Sequence, residues 1–132
     1  MTLHRSVALP QELQRTQLQA GPDAVNRYAA LTADFNPIHL DAEFAAMTPF
    51  GAPIIHGTLG LNLIVESIER TFGALPREVA IDVRFSRPVP VGTTVHAGGR
   101  LRDPETGTYE VFVETQDGER ALEGTCVIGT PG

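Results

Sequence analysis

The chain has 132 residues, 42% of them hydrophobic and 20% charged. That composition suits an ordinary folded domain and excludes the disordered, fibrous and collagen-like classes. Ten Lys and Arg against sixteen Asp and Glu leave a net charge of −6, and the scattered basic residues argue against a nucleic-acid partner.

Residues 1–132 are expected to form a single domain without a linker. Met1-Thr-Leu-His-Arg-Ser lacks the apolar core of a signal peptide, and no run approaches the ~18 apolar residues of a membrane span. No membrane association and a cytoplasmic location are therefore expected. The lone Cys126 cannot form an intrachain disulfide and offers no zinc-type spacing; in the apolar run Gly124 to Ile128 it reads as an inert buried thiol.

In chain order, a strand is expected within residues 2–10. Pro22 and Asp23 open a helix to about Leu31, with Val25, Tyr28, Ala29 and Leu31 at core-like spacing. Thr32 to Asp41 reads as a loop bent at Asn36-Pro37, because a residue before proline is pushed away from helical angles. Asp41 caps a short helix to Met47. From Thr58 to Phe72 the first half is apolar nearly all round, through Leu59, Leu61, Leu63, Ile64 and Val65, so this helix is buried on most sides. Glu66, Glu69 and Arg70 bring its end into solvent before a stop at Gly73.

After Pro76, stretches at about 78–86, 93–102, 109–116 and 121–129 read as strands. Asp103 to Gly107 and Asp117-Gly118 supply the reversals that join the last three into an antiparallel meander. Helical signals before strand signals predict an α+β fold, with a curved antiparallel sheet of about five strands wrapped around one long central helix. So short a sheet leaves an edge and part of the helix uncovered, which predicts a dimer.

Two stretches carry candidate chemistry. Asp34 and His39 are a carboxylate and an imidazole five residues apart on a backbone stiffened by Pro37, a pair able to hold a water and move its protons. The same residues also fit a simple turn, with Asp34 and Asn36 bonded to nearby backbone and His39 on the surface. A calcium loop is excluded, because no acidic residue and glycine follow Asp34-Phe-Asn36 at the required spacing. The second stretch is His56-Gly57 at the start of the buried helix. Unpaired N–H groups there can bind an oxygen that becomes negative, and Gly57 admits a close approach to the backbone. Alternatively Gly57 eases the helix start and His56 caps or packs. A metal site from His39, Asp41 and His56 has no recognisable ligand spacing.

Taken together, the two stretches resemble the MaoC-like, or R-specific enoyl-CoA hydratase, family of the hot-dog fold. The matching residues are Tyr28, Asp34-Phe-Asn-Pro-Ile-His39, Ala45, Ile54-Ile-His-Gly57 and the later Val83 to Thr94 stretch with its Pro-Val-Pro-Val-Gly turn. The likeness covers about residues 20 to 130, and the combination of Asp-x-Asn-Pro-x-His with His-Gly is highly specific.

The resemblance implies reversible hydration of trans-2-enoyl thioesters to R-3-hydroxyacyl thioesters, with Asp34 and His39 as the catalytic pair. It further implies Gly57 as oxyanion donor, with Asn36, His56 and Thr58 in supporting or substrate-binding places. The substrate would be an acyl-CoA or acyl-ACP thioester, the assembly a homodimer, and no metal or other cofactor is called for. Rival readings are a hot-dog acyl-thioesterase and a non-catalytic acyl-binding or heterodimer subunit. The sequence departs from the family at Ala33, where a glycine is expected. That change is small if the backbone angle φ is negative and costly if it is positive.

Overall fold

A computed structural model of the protein describes residues 9–129. Five strands form one sheet: β1 (Glu12–Gln19), β2 (Val79–Phe85), β3 (Thr94–Asp103), β4 (Thr108–Thr115) and β5 (Arg120–Ile128). They lie in the order β1-β3-β4-β5-β2 with every neighbouring pair antiparallel. The helices are α1 (Pro22–Thr32), α2 (Pro37–Leu40), α3 (Ala42–Ala46) and the 16-residue α4 (Gly57–Phe72). This is the expected α+β architecture, with α4 as the long helix against the sheet.

Alternation along β4 shows how the core forms. Tyr109, Val111, Val113 and Thr115 are buried, while Thr108, Glu110, Phe112 and Glu114 take the other face. Of these, Tyr109, Val111 and Val113 meet Leu59, Leu63, Ile64 and Ile68 of α4 in one apolar cluster. Fully burying side chains of this size is worth about 1.5–3 kcal/mol each, so the apolar stripe of α4 is the main reason for the sheet to close over it. Polar bonds then fix its position along the sheet. Thr16 Oγ1 donates to Leu63 O at 2.9 Å and Ser67 Oγ donates to Gln14 O at 2.5 Å. Gly73 ends α4 in the left-handed region, at φ 83°.

The strands expected after Pro76 are found within a residue or two of their predicted limits. Gly107 and Gly118 hold positive φ in the two predicted reversals, and Gly107 N–H donates to Asp103 O at 2.9 Å. The amino-terminal expectation is corrected. Residues 1–8 lie outside the described residues, residues 9 and 10 are not in a strand, and the strand that pairs with β3 is Glu12–Gln19. Its buried residues are Leu13 and Thr16, three apart, because the pairing register shifts between them. That irregularity breaks the period-two pattern by which strands are read. The predicted loop from Thr32 to Asp41 contains a helical turn, α2, for which the Asn36 side chain accepts from Ile38 N–H.

The outer face of the sheet carries a charged ladder. Arg102 and Arg120 donate to Glu110, Arg120 also bonds Glu114, and its guanidinium stacks 4.6 Å from the Phe112 ring centre. The bonds from Arg102 and then Arg120 hold the Glu110 carboxyl below its usual range. Among the described residues, no helix is long and apolar enough to cross a membrane.

Cys126 is fully buried in the core cluster, as expected, and burial pushes its thiol up to about 11. Since the thiolate is the reactive form, native protein at neutral pH should resist a thiol-specific chromogenic reagent and react only after denaturant is added. Fast labelling of the native protein would contradict this packing.

Candidate active site

The turn that carries Asp34 and His39 is built by local bonds. Asp34 Oδ1 accepts from Asn36 N–H at 3.3 Å, Asn36 Oδ1 accepts from Ile38 N–H at 3.1 Å, and His39 N–H donates to Asn36 O at 3.0 Å. These are the bonds of a simple turn, and they are present. They do not exhaust the residues, because the Asp34 side chain stays half-exposed and the His39 ring is turned inward.

Three further bonds tie this turn to the segment leading into α4. Ile54 N–H donates to Ile38 O at 3.2 Å, and His39 Nδ1 lies 2.7 Å from Ile54 O. His56 Nε2 lies 3.0 Å from Asp34 O. A carbonyl oxygen only accepts, so both histidine nitrogens must carry the hydrogen. His39 is thereby held with Nδ1–H bonded and its Nε2 lone pair free when neutral, the state in which an imidazole can take a proton. The segment around Ile54 is itself paired to the loop after β2, through Ile55 N–H to Val89 O at 2.8 Å and Val91 N–H to Pro53 O at 2.9 Å.

His56 occupies the cap position of α4 but makes no side-chain cap bond there. It is 1% exposed. Its ring stacks on His39 with centres 3.8 Å apart and meets Tyr28 edge-on at 5.0 Å. Tyr28, part of the family signature but not read as a site residue, donates its hydroxyl to Thr58 Oγ1 at 2.7 Å and accepts from Asn62 at 3.2 Å. Thr58 is thus engaged with Tyr28 at the start of α4. The sequence held no signal for these roles beyond the aromatic position, since they depend on residues some 30 positions apart.

Gly57 is the first residue of α4, and its N–H has no acceptor within the helix. A side chain there would place its Cβ 2.7 Å from the Phe85 ring, so any other residue requires that exposed ring to move. Beside it opens a cleft of about 310 Å³, mostly apolar, whose walls include His56, Gly57, Phe85, Val113 and Leu122. His56 Nδ1, on that wall residue, is buried without a partner.

Asp34, His39 and His56 each bring one potential ligand atom within 4.8 Å of the others. Asp41, considered from sequence as a third ligand, instead caps α3 by accepting from Glu43 and Phe44 N–H. One feature disfavours a metal at the cluster: one nitrogen of each ring is already bonded to a carbonyl. The arrangement suits proton transfer.

Ala33, the departure from the family pattern, holds φ 56° and ψ 32° as the left-handed cap of α1, its N–H bonded to Ala29 O. The costly alternative therefore applies, at roughly 1–2 kcal/mol for a residue with a Cβ.

The MaoC like domain family matches residues 2–121, and the chain belongs to it. Among individual relatives, the (R)-specific enoyl-CoA hydratase of Aeromonas caviae is 34% identical over 125 residues, 89% of this chain and 91% of that one. The 3-hydroxyacyl-thioester dehydratase Z of Mycobacterium tuberculosis is 35% identical over 114 residues, 80% of this chain and 76% of that one. The solved (R)-hydratase of A. caviae superposes with a TM-score of 0.79 at 30% identity, covering 96% of this chain and 99% of that one. The hot-dog fold inferred from the motifs is thereby established.

Relief of the left-handed alanine gives a direct test of the turn. Ala33→Gly should raise Tm by about 3–5 °C, the shift that about 1 kcal/mol produces in a domain of this size. An unchanged or lower calorimetric Tm would show that the backbone here is not under that strain.

Proposed function

We propose that this chain, acting as one domain and as a homodimer in the cytoplasm, reversibly hydrates trans-2-enoyl thioesters of coenzyme A or acyl carrier protein to R-3-hydroxyacyl thioesters. The observation that carries this reading is the pairing of Asp34 with a His39 whose Nδ1–H is held by Ile54 O, beside the open N–H of Gly57. The named activities of the A. caviae and M. tuberculosis relatives support it.

In the proposed reaction, Asp34 and His39 hold one water between them. The water's oxygen forms a bond to C3, the C2–C3 π bond breaks, and a proton is delivered to C2, so that one water is added in balance. Negative charge gathers on the thioester oxygen as the C3–O bond forms. Gly57 N–H receives that oxygen, and the helix dipole of α4 adds to the stabilisation. His56 keeps the pair in place by bonding Asp34 O and backing the His39 ring, and Asn36 holds the turn; both act through other residues rather than on substrate. Thr58, bonded to Tyr28, braces the helix start. Run backwards, the same groups dehydrate the hydroxyacyl thioester.

The positions of the edge strands fit a dimer. Among the described residues β2 pairs in the sheet with β5 alone, and its residues Val79, Ile81 and Val83 are half-buried, so a second copy would complete their cover.

Asp34→Asn and His39→Ala should each lower kcat for crotonyl-CoA by at least ~100-fold, the scale of a positioned acid–base group. Loss of the enoyl absorbance measures it. Near-native rates from either variant would refute the pair, and release of free thiol in place of hydration would indicate a thioesterase. Sedimentation should show a dimer, against which a stable, active monomer would count.

A further inference from the structure

One turn beyond Gly57, the cleft also borders Gly60. Glycine is a poor helix former beside alanine, and nothing in the backbone calls for it here, since Gly60 is not among the residues with positive φ. A Cβ at Gly60 would lie 3.2 Å from Leu122 Cδ1 and 3.7 Å from Val113 Cγ2. Both neighbours are buried, so a methyl group at position 60 would press on Leu122 and displace it by a few tenths of an ångström. What glycine contributes at this position is the close seat of α4 against Leu122 on β5 and Val113 on β4, where all three residues border the cleft.

We propose that Gly60, Leu122 and Val113 close the far end of the acyl pocket and set the length of the chain that the site accepts, with Gly60 as the specificity-determining residue. The proposal rests on the reading of Gly57 as the place where the thioester oxygen is received. The wall is apolar here, with Leu122 and Val113 buried in the core cluster, so the tail it takes is a hydrocarbon. Each added methylene of tail that reaches this wall gains affinity, at about fourfold for the ~0.8 kcal/mol of a buried methylene. The gain stops where Leu122 stands. A methyl group at position 60 brings the limit closer, and a shorter side chain at position 122 moves it away.

The experiment compares native protein, Gly60→Ala and Leu122→Val on trans-2-enoyl-CoA substrates from about four to about twelve carbons, reading kcat/KM at each length. Circular dichroism and thermal unfolding confirm the fold, which Gly60→Ala should preserve because alanine is the better helix former. The ratio of kcat/KM for the longest chain turned over by native protein to that for the shortest should fall at least ~10-fold in Gly60→Ala. In Leu122→Val the ratio should rise about fourfold for the next longer chain. Ratios unchanged in both variants, with all lengths affected equally, would overturn the proposal. Calorimetric binding of saturated acyl-CoA over the same lengths separates the two readings. If no enoyl-CoA is hydrated but the length preference in binding still moves with the variants, the hydratase reading fails and the pocket stands; parallel binding profiles overturn the pocket.

Discussion

Three hydrogen bonds and one pair of stacked rings join the Asp34–His39 turn to the segment that leads into α4, and the site depends on that seam. The turn could not hold a histidine ring by itself, because its own bonds are all to backbone near its ends. His39 is aimed by Ile54 O, the backbone at Asp34 is held by His56 Nε2–H, and the His56 ring backs that of His39. These partners are rigid because α4 is. Its apolar stripe lies in the core, and Thr16 and Ser67 bond it to β1 at fixed heights. A carboxylate and an imidazole placed on a surface turn thus inherit the stiffness of the interior, which is the condition for a preorganised centre.

Local unfavourable features gather at the same place. Ala33 holds a left-handed backbone next to Asp34, and His56 buries a ring nitrogen without a partner. Each runs against a general preference, the first for glycine at such a cap and the second for paired polar groups in the interior. Neither could persist in an isolated segment. They persist here because surrounding contacts over-determine the geometry, a pattern that marks functional sites more than ordinary turns. The rest of the chain is conventional by comparison: the sheet interior is aliphatic, and its charged outer face is paired along Arg102, Glu110, Arg120 and Glu114.

The sequence by itself determined whatever rests on local signals. Pro22 and Asp41 mark helix starts, the apolar run from Leu59 marks a buried helix, and glycines at 107 and 118 mark reversals, because each acts through its own backbone or its near neighbours. The spacing of Asp34, His39 and Gly57 was legible too, but only as a joint motif; taken singly, each stretch read more readily as an ordinary turn or helix start.

Only the tertiary structure decided the rest. β1 is a polar segment, Glu12–Gln19, whose irregular register hides its alternation; it is a strand because β3 offers a free edge and α4 offers Leu63 O and Ser67. From its neighbours His56 reads as a residue that caps or packs, yet it is an interior bracket, because Asp34 O lies 22 residues away in sequence and 3.0 Å away in space. In each case the determining partner is distant along the chain, and a local pattern carries no trace of a contact that exists only after the helix has been buried.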